Sequence, residues 1–177
     1  IININEEENE DIVNINFRAS SVETLKEFLA KKKDRLSYDE SLQFFLNLKN
    51  QLDSLEKRNK SIVAFDINDI MVINDTYFFF VNQDKVVERN NKEQLEITIP
   101  IKKNKFCSPE LRAAALPDSI PYQASFFSLG ALITFCLTQK FKKPYSKALE
   151  SIWQTPLYWA LMRCLEENPK ERYLLMI

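Results

Sequence analysis

Four aspartates, Asp66, Asp69, Asp75 and Asp84, fall in or beside the stretch "IVAFDINDIMVINDTYFFFVNQD" at residues 62–84. Carboxylates gathered around one hairpin can do two kinds of chemistry. One can take a proton from a hydroxyl as a general base, and one or two can hold a magnesium ion whose other ligands are water and phosphate oxygens. Aspartate and asparagine also have a plainer use beside a tight turn, where they hydrogen-bond to their own backbone. Which use applies depends on the elements that place the four side chains.

The rest of the composition removes most other chemistry. Histidine is absent, which excludes Ser-His and Cys-His nucleophile pairs and the commonest zinc sites. Cys107, Cys136 and Cys164 are far apart and odd in number, so neither a disulfide framework nor a CxxC site fits. They read as small buried apolar residues in a reducing compartment. A phosphate cradle needs several residues without Cβ, and Gly130 is the only glycine. The expectation is therefore no cofactor and no resident metal.

With 177 residues, 45% of them hydrophobic, the chain suits one globular domain. Its 24 basic and 25 acidic residues give a net charge of −1, which argues against nucleic acid or an anionic membrane as partner. The basic runs at 31–33 and 102–105 read as solvated faces. No apolar run reaches the ~20 residues of a membrane span, and nothing at the start resembles a signal peptide, so a cytoplasmic protein is expected.

Residues 1–19, rich in Asn and Glu, read as an N-terminal extension or edge segment, and 20–177 as the domain. Ser20 with Glu23 has the spacing of a capping box ahead of Val22, Leu25, Phe28 and Leu29. Ser37 with Glu40 repeats it before a longer helix whose apolar stripe is Leu42, Phe45, Leu46, Leu52 and Leu55. Strands are expected at 62–65, 69–73 and 77–81, with Asn74 and Asp75 as the hairpin turn, and "LEITI" adds a possible strand in a charged loop at 85–101. Helices follow after Pro109, at 124–138, at 156–167 with Pro156 in the first turn, and from Pro169 to the end. The fold class is thus mainly α with a small β-hairpin region, α+β.

Three separated motifs in this order resemble a known family. "FCSPEL" (106–111), "SFFSLGALITFCLT" (125–138) and "RCLEENPKERYLL" (163–175) look like the C-terminal lobe of a eukaryotic-type protein kinase. That family has an Ala-Pro-Glu segment, an Asp-x-Trp-Ser-Leu-Gly helix and a closing Cys-Leu-x-x-(Asp/Asn)-Pro-x-x-Arg. The resemblance covers roughly residues 36–177 and implies a protein-kinase-like C-lobe whose N-lobe is missing or reduced. It implies a buried ion pair between Glu110 and Arg172, and close helix packing at Gly130.

The same resemblance implies lost catalysis. The family's catalytic aspartate falls on Ala64, its loop lysine on Asp66, its metal-binding asparagine on Asp69, and its Asp-Phe-Gly on Asn82, Gln83 and Asp84. Ser125 replaces the helix aspartate that anchors the family's catalytic loop, which leaves the loop geometry open. A shifted placement, with Asp66 as base and Asp84 as metal ligand, is the competing possibility. Without the upper lobe, apolar residues near Phe65, Ile67, Phe80 and Val81 either face a partner or point into the core under the N-terminal segment.

The expected function is a catalytically inactive pseudokinase scaffold or structural protein that binds protein partners. In its abundance of Asn, Lys, Ile and Phe and in "LYWALMRCLEENPKERYLL" (157–175), the chain is similar to kinase-like proteins of large DNA viruses, and that similarity implies a minor capsid or virion-associated component, with capsid proteins as partners, in the virion or host cytoplasm. The alternative is the lower lobe of a longer or two-part kinase-like protein with weak nucleotide binding or Ser/Thr phosphotransfer.

Overall fold

The computed structural model describes residues 18–177 together with two short strands ahead of them, β1 (Asn3–Ile4) and β2 (Ile15–Asn16), which pair antiparallel. The rest of the 1–19 lead-in, apart from residues 18 and 19, lies outside the described residues.

The described chain first docks on a turn. Ser20 donates to Asn74 Oδ1 through its N–H at 2.7 Å and its hydroxyl at 2.9 Å, and Asn74 N–H donates to the Ser21 carbonyl at 3.0 Å. This seating lays β3 (Val22–Thr24) antiparallel to a later strand, with Val22 opposite Ile73. The expected capping box at Ser20 and Glu23 therefore does not form, because the backbone there is committed to strand pairing. The helix α1 (Leu25–Lys31) begins only where the pairing ends, and its box is Thr24 with Glu27. Thr24 Oγ1 accepts from Glu27 N–H at 3.2 Å, and the Glu27 carboxylate accepts from Thr24 N–H at 2.9 Å.

Ser37 caps α2 (Tyr38–Glu56), with Glu40 completing the box. Its fully buried apolar residues are Phe44, Phe45, Leu48 and Leu52, while Leu42, Leu46 and Leu55 flank them half-buried. After α2 come β4 (Lys60–Ile62), β5 (Ile70–Ile73) and β6 (Tyr77–Phe80). Asn74 and Asp75 both adopt left-handed backbone, φ 52° and 56°, which a two-residue hairpin requires and these residue types tolerate. The sheet order is β3-β5-β6, and its inner residues Ile70, Val72, Phe78 and Phe80 face α2. Phe78 stacks on Phe44 at 4.6 Å and meets the edge relation of Phe28 at 6.0 Å.

Helix α2 also closes the open edge of β6. Phe78 N–H donates to Asn47 Oδ1 and Phe80 N–H to Gln51 Oε1, both at 2.9 Å. Donors that would otherwise template another strand are thus occupied by helix side chains.

The charged loop contains two strands, β7 (Val86–Glu88), paired with β4, and β8 (Gln94–Ile97). Next come α3 (Pro109–Ala113), β9 (Asp118–Pro121), α4 (Ala124–Thr138), α5 (Tyr145–Ala148) and α6 (Pro156–Cys164). Strand β9, which pairs with β8, carries no alternating apolar signal and goes unread in the sequence. Helix α4 runs through the centre of the molecule, buried along most of its length and packed on both α2 and α6.

Two expected helices are shorter. Helix α6 stops at Cys164 rather than 167, and the carbonyls of Glu166 and Glu167 instead accept from Arg172 at 2.6 and 2.9 Å. After Pro169 there is one 3₁₀ turn, Pro169–Glu171, and Arg172 takes extended backbone that aims its side chain inward. Residues 172–177 are irregular, so no terminal helix runs to the end. Among the described residues the fold is α+β, with six α-helices and small antiparallel sheets, a larger β share than a single hairpin.

Candidate functional site

The segment between β4 and β5 carries the residues singled out in the sequence. Ala64 is fully buried in an apolar cluster with Leu95, Ile97, Cys107, Leu111 and Ala124. Phe65 is equally buried and meets Phe80 edge-on at 5.4 Å, Ile67 is half-buried, and only Val81 of the four apolar residues is exposed. The strand β3 and helix α1 lie over the 3₁₀ turn Ile67–Asp69 and the start of β5. The core placement of Phe65 and Phe80 is therefore the one observed.

Two of the four aspartates of this stretch, Asp66 and Asp69, have local structural tasks. Asp66 caps the 3₁₀ turn, its Oδ1 accepting from Asn68 N–H at 3.0 Å and Nδ2 at 2.8 Å. Its Oδ2 accepts from Asn104 Nδ2 at 2.9 Å, and the same amide reaches the Phe65 carbonyl at 3.1 Å. Asp69 is buried, and its two oxygens are taken by Lys85 Nζ at 2.5 Å and Asn82 Nδ2 at 2.8 Å. Asn82 Oδ1 accepts in turn from Asp84 N–H at 3.1 Å. Asp75 and Asp84 point to solvent. Among the described residues, no three or more Asp, Glu, His or Cys are grouped to hold a metal ion.

Ser125 and Ser128 settle how the segment is held. Both are fully buried on α4. Ser125 Oγ donates to the Ile62 carbonyl at 2.5 Å, so the 2.9 Å contact with Ser61 Oγ is one in which Ser61 donates. Ser128 Oγ accepts from Phe65 N–H at 2.8 Å. Helix α4 thus grips both sides of Ala64 with two neutral hydroxyls rather than a carboxylate.

Glu110 and Arg172 are brought together from segments far apart in the chain. Arg172 Nη1 and Nη2 donate to the two Glu110 oxygens at 3.1 and 3.0 Å, a bidentate pair in which the guanidinium is fully buried. Two further N–H groups of Arg172 donate to the Glu166 and Glu167 carbonyls, and its Cζ lies 5.0 Å from the Phe127 ring centre. Burial pushes the Glu110 carboxyl upward, but the hydrogen bonds and charge of Arg172 outweigh it and hold Glu110 below its ordinary value. At Gly130, a Cβ would lie 2.6 Å from Cys164 Cβ, so α4 and α6 approach more closely than any side chain at 130 permits.

All three cysteines are buried and free. Burial pushes the Cys164 thiol up to about 12 against the nearby charge of Arg172, and it pushes Cys136 up as well. Cys136 and Cys164 therefore have no thiolate to offer as nucleophile at neutral pH.

No protein-family model matches the chain, and no curated protein matches it. The site accordingly stands on its geometry. Sequence reasoning missed Lys85, Asn104, Ser61 and Ser128, the partners that use up the polar groups of this segment. For Lys85 a weak signal existed, since a buried aspartate in a strand-flanking turn demands a cation, but nothing in the spacing names which one.

Proposed function

We propose that the chain is a catalytically inactive, kinase-like C-lobe that acts through protein–protein contacts as a scaffold or structural part. The observation that carries this reading is the Asp69–Lys85–Asn82 cluster. On the kinase-like placement, Asp69 and Asn82 stand where magnesium ligands belong, and an ammonium of the protein itself occupies the carboxylate. Ala64 stands where a proton acceptor belongs and is sealed in the core. The framework positions, Glu110 with Arg172 and Gly130 against α6, are instead fully used. Chemistry is replaced by packing at the positions that would react, while the contacts that would shape the lobe are present.

The setting follows from the resemblance stated above: a minor capsid or virion-associated component of a large DNA virus, with capsid proteins as partners. Cross-linking within purified native particles tests it. Stoichiometric presence in particles with reproducible capsid-protein cross-links supports the reading, whereas absence from particles together with ATP turnover by the purified chain overturns it.

A further inference from the structure

Charge is distributed unevenly along the chain. Between residues 101 and 149 lie eight of the 24 Lys and Arg residues but only two of the 25 Asp and Glu residues. Both of those carboxylates are engaged, Glu110 with Arg172 and Asp118 with the N–H groups of Ala115 and Ser119 at 3.3 and 2.8 Å. The basic residues come from two segments far apart in sequence, the loop and α3 within 101–115 and the loop that leads into α5 within 139–147.

An aromatic cluster joins these loops into one face. Phe106 from the first loop lies 5.5 Å from Phe135 at the end of α4 and 6.4 Å from Phe141 in the second, and Phe141 stacks on Tyr145 at 5.0 Å. Lys105 Nζ sits 3.3 Å from the centre of the Phe135 ring. Arg112 closes the first loop by donating to the Lys105 carbonyl at 2.6 Å, while Lys103 donates to the carbonyls of Arg112 and Ala114 at 2.8 and 3.1 Å. Burial raises the Tyr145 hydroxyl above its ordinary value, and the charges of Lys143 and Arg112 oppose that rise. Lys143 is neutralised by Glu167. Among the described residues, Lys102, Lys105, Arg112, Lys140, Lys142 and Lys147 pair with no carboxylate.

We propose that this basic, aromatic-floored face docks an acidic, extended segment of a partner protein. Unpaired cations on a face built around half-buried Phe135, Phe141 and Tyr145 offer charge to carboxylates and ring surface to an apolar side chain between them. The rest of the chain carries more acidic than basic residues, so a polyanion that extends beyond the face, such as nucleic acid, or a broad anionic membrane meets repulsion there. Screening over ~10 Å lets a short acidic segment feel the face alone. This deepens the interaction role proposed above, yet it uses none of the kinase-like placement.

Fluorescence anisotropy of the full chain with a short labelled Glu/Asp-rich peptide containing one tryptophan tests it. The expected result is saturable binding that weakens with salt, is absent for the Gln/Asn counterpart, and falls by at least about tenfold in Lys105→Glu and in Lys142→Glu/Lys147→Glu. Lys92→Glu, on a different loop, leaves binding unchanged. Equal loss in Lys92→Glu, no saturable binding at low salt, or tighter binding of a single-stranded oligonucleotide or of phosphatidylserine vesicles overturns the proposal. Binding that appears only after Glu6, Glu7, Glu8, Glu10 and Asp11 are changed to their amides also overturns it, because the chain's own acidic run is then the occupant. Failure of the peptide while the chain remains inert to Mg-ATP removes this face and leaves the non-catalytic reading standing.

Discussion

Lys85 Nζ lies 2.5 Å from Asp69 Oδ2, and the two side chains are only 11% and 8% exposed. A pair this deeply placed is held together by the cost of separating it. Removing one partner strands a charge at a cost of ~3 to 5 kcal/mol, whereas replacing both by apolar groups of similar volume is often neutral. Lys85→Met should therefore lower the urea-unfolding free energy by that amount, and Lys85→Met/Asp69→Leu should recover most of it. A double variant as unstable as the single one contradicts this account of the pair.

Glu110 supplies a pH dependence with a definite sign. Its folded carboxyl lies below the ordinary value of 4.5, so its contribution to stability is fully present above that value and is lost as pH falls through the lowered one. Denaturation followed from neutral to acid pH should show stability dropping below about pH 4.5. In Glu110→Gln the neutral-pH stability should be lower and the acid drop shallower. Arg172→Lys should not rescue the wild-type value, since an ammonium cannot bind both carboxylate oxygens and two carbonyls in one plane.

Gly130→Ala raises helix propensity by ~1 kcal/mol yet should destabilise, because the added Cβ falls 2.6 Å from Cys164 Cβ. Overpacking of this kind costs about 1 to 3 kcal/mol. Cys164→Ala keeps the clashing atom and should give no relief, whereas Cys164→Gly should relieve part of it; thermal melts of the two double variants make the comparison.

Ser125→Ala should cost ~1 to 3 kcal/mol by leaving the buried Ile62 carbonyl and Ser61 hydroxyl without partners. Amide hydrogen exchange would report where the loss acts, with faster exchange expected between Ser61 and Phe65. A melt unchanged from wild type would show that α4 does not anchor this segment through Ser125.

How much of this was legible depended on how local each signal was. The Ser37 box, the Asn74-Asp75 turn and helix α4 each follow from residues within a few positions of one another, and they appear where the spacing places them. Ser20 with Glu23 had an equally good local pattern and failed, because Asn74, more than fifty residues away, holds that backbone beside a hairpin. The end of α6 and the tail depart from the helical spacing for a related reason, since Arg172 takes the Glu166 and Glu167 carbonyls as its own acceptors. At the candidate site, sequence named Asp66, Asp69 and Asn82 but not Asn104 or Lys85, whose positions depend on how loops return. The lysines of the run at 102–105 are exposed, as expected of a solvated face, while the approach of Phe106 to Phe141 that brings the 139–147 segment near them has no local signal.

The central claim is that the Asp69 and Asn82 positions hold the protein's own cation rather than a nucleotide's metal. Thermal melting of the full chain with and without saturating Mg-ATP tests it most directly. The account predicts an unchanged melting curve, for the wild type and for Asp66→Asn and Asp84→Asn alike. Stabilisation above ~2 kcal/mol that disappears in Asp66→Asn and Asp84→Asn would contradict it.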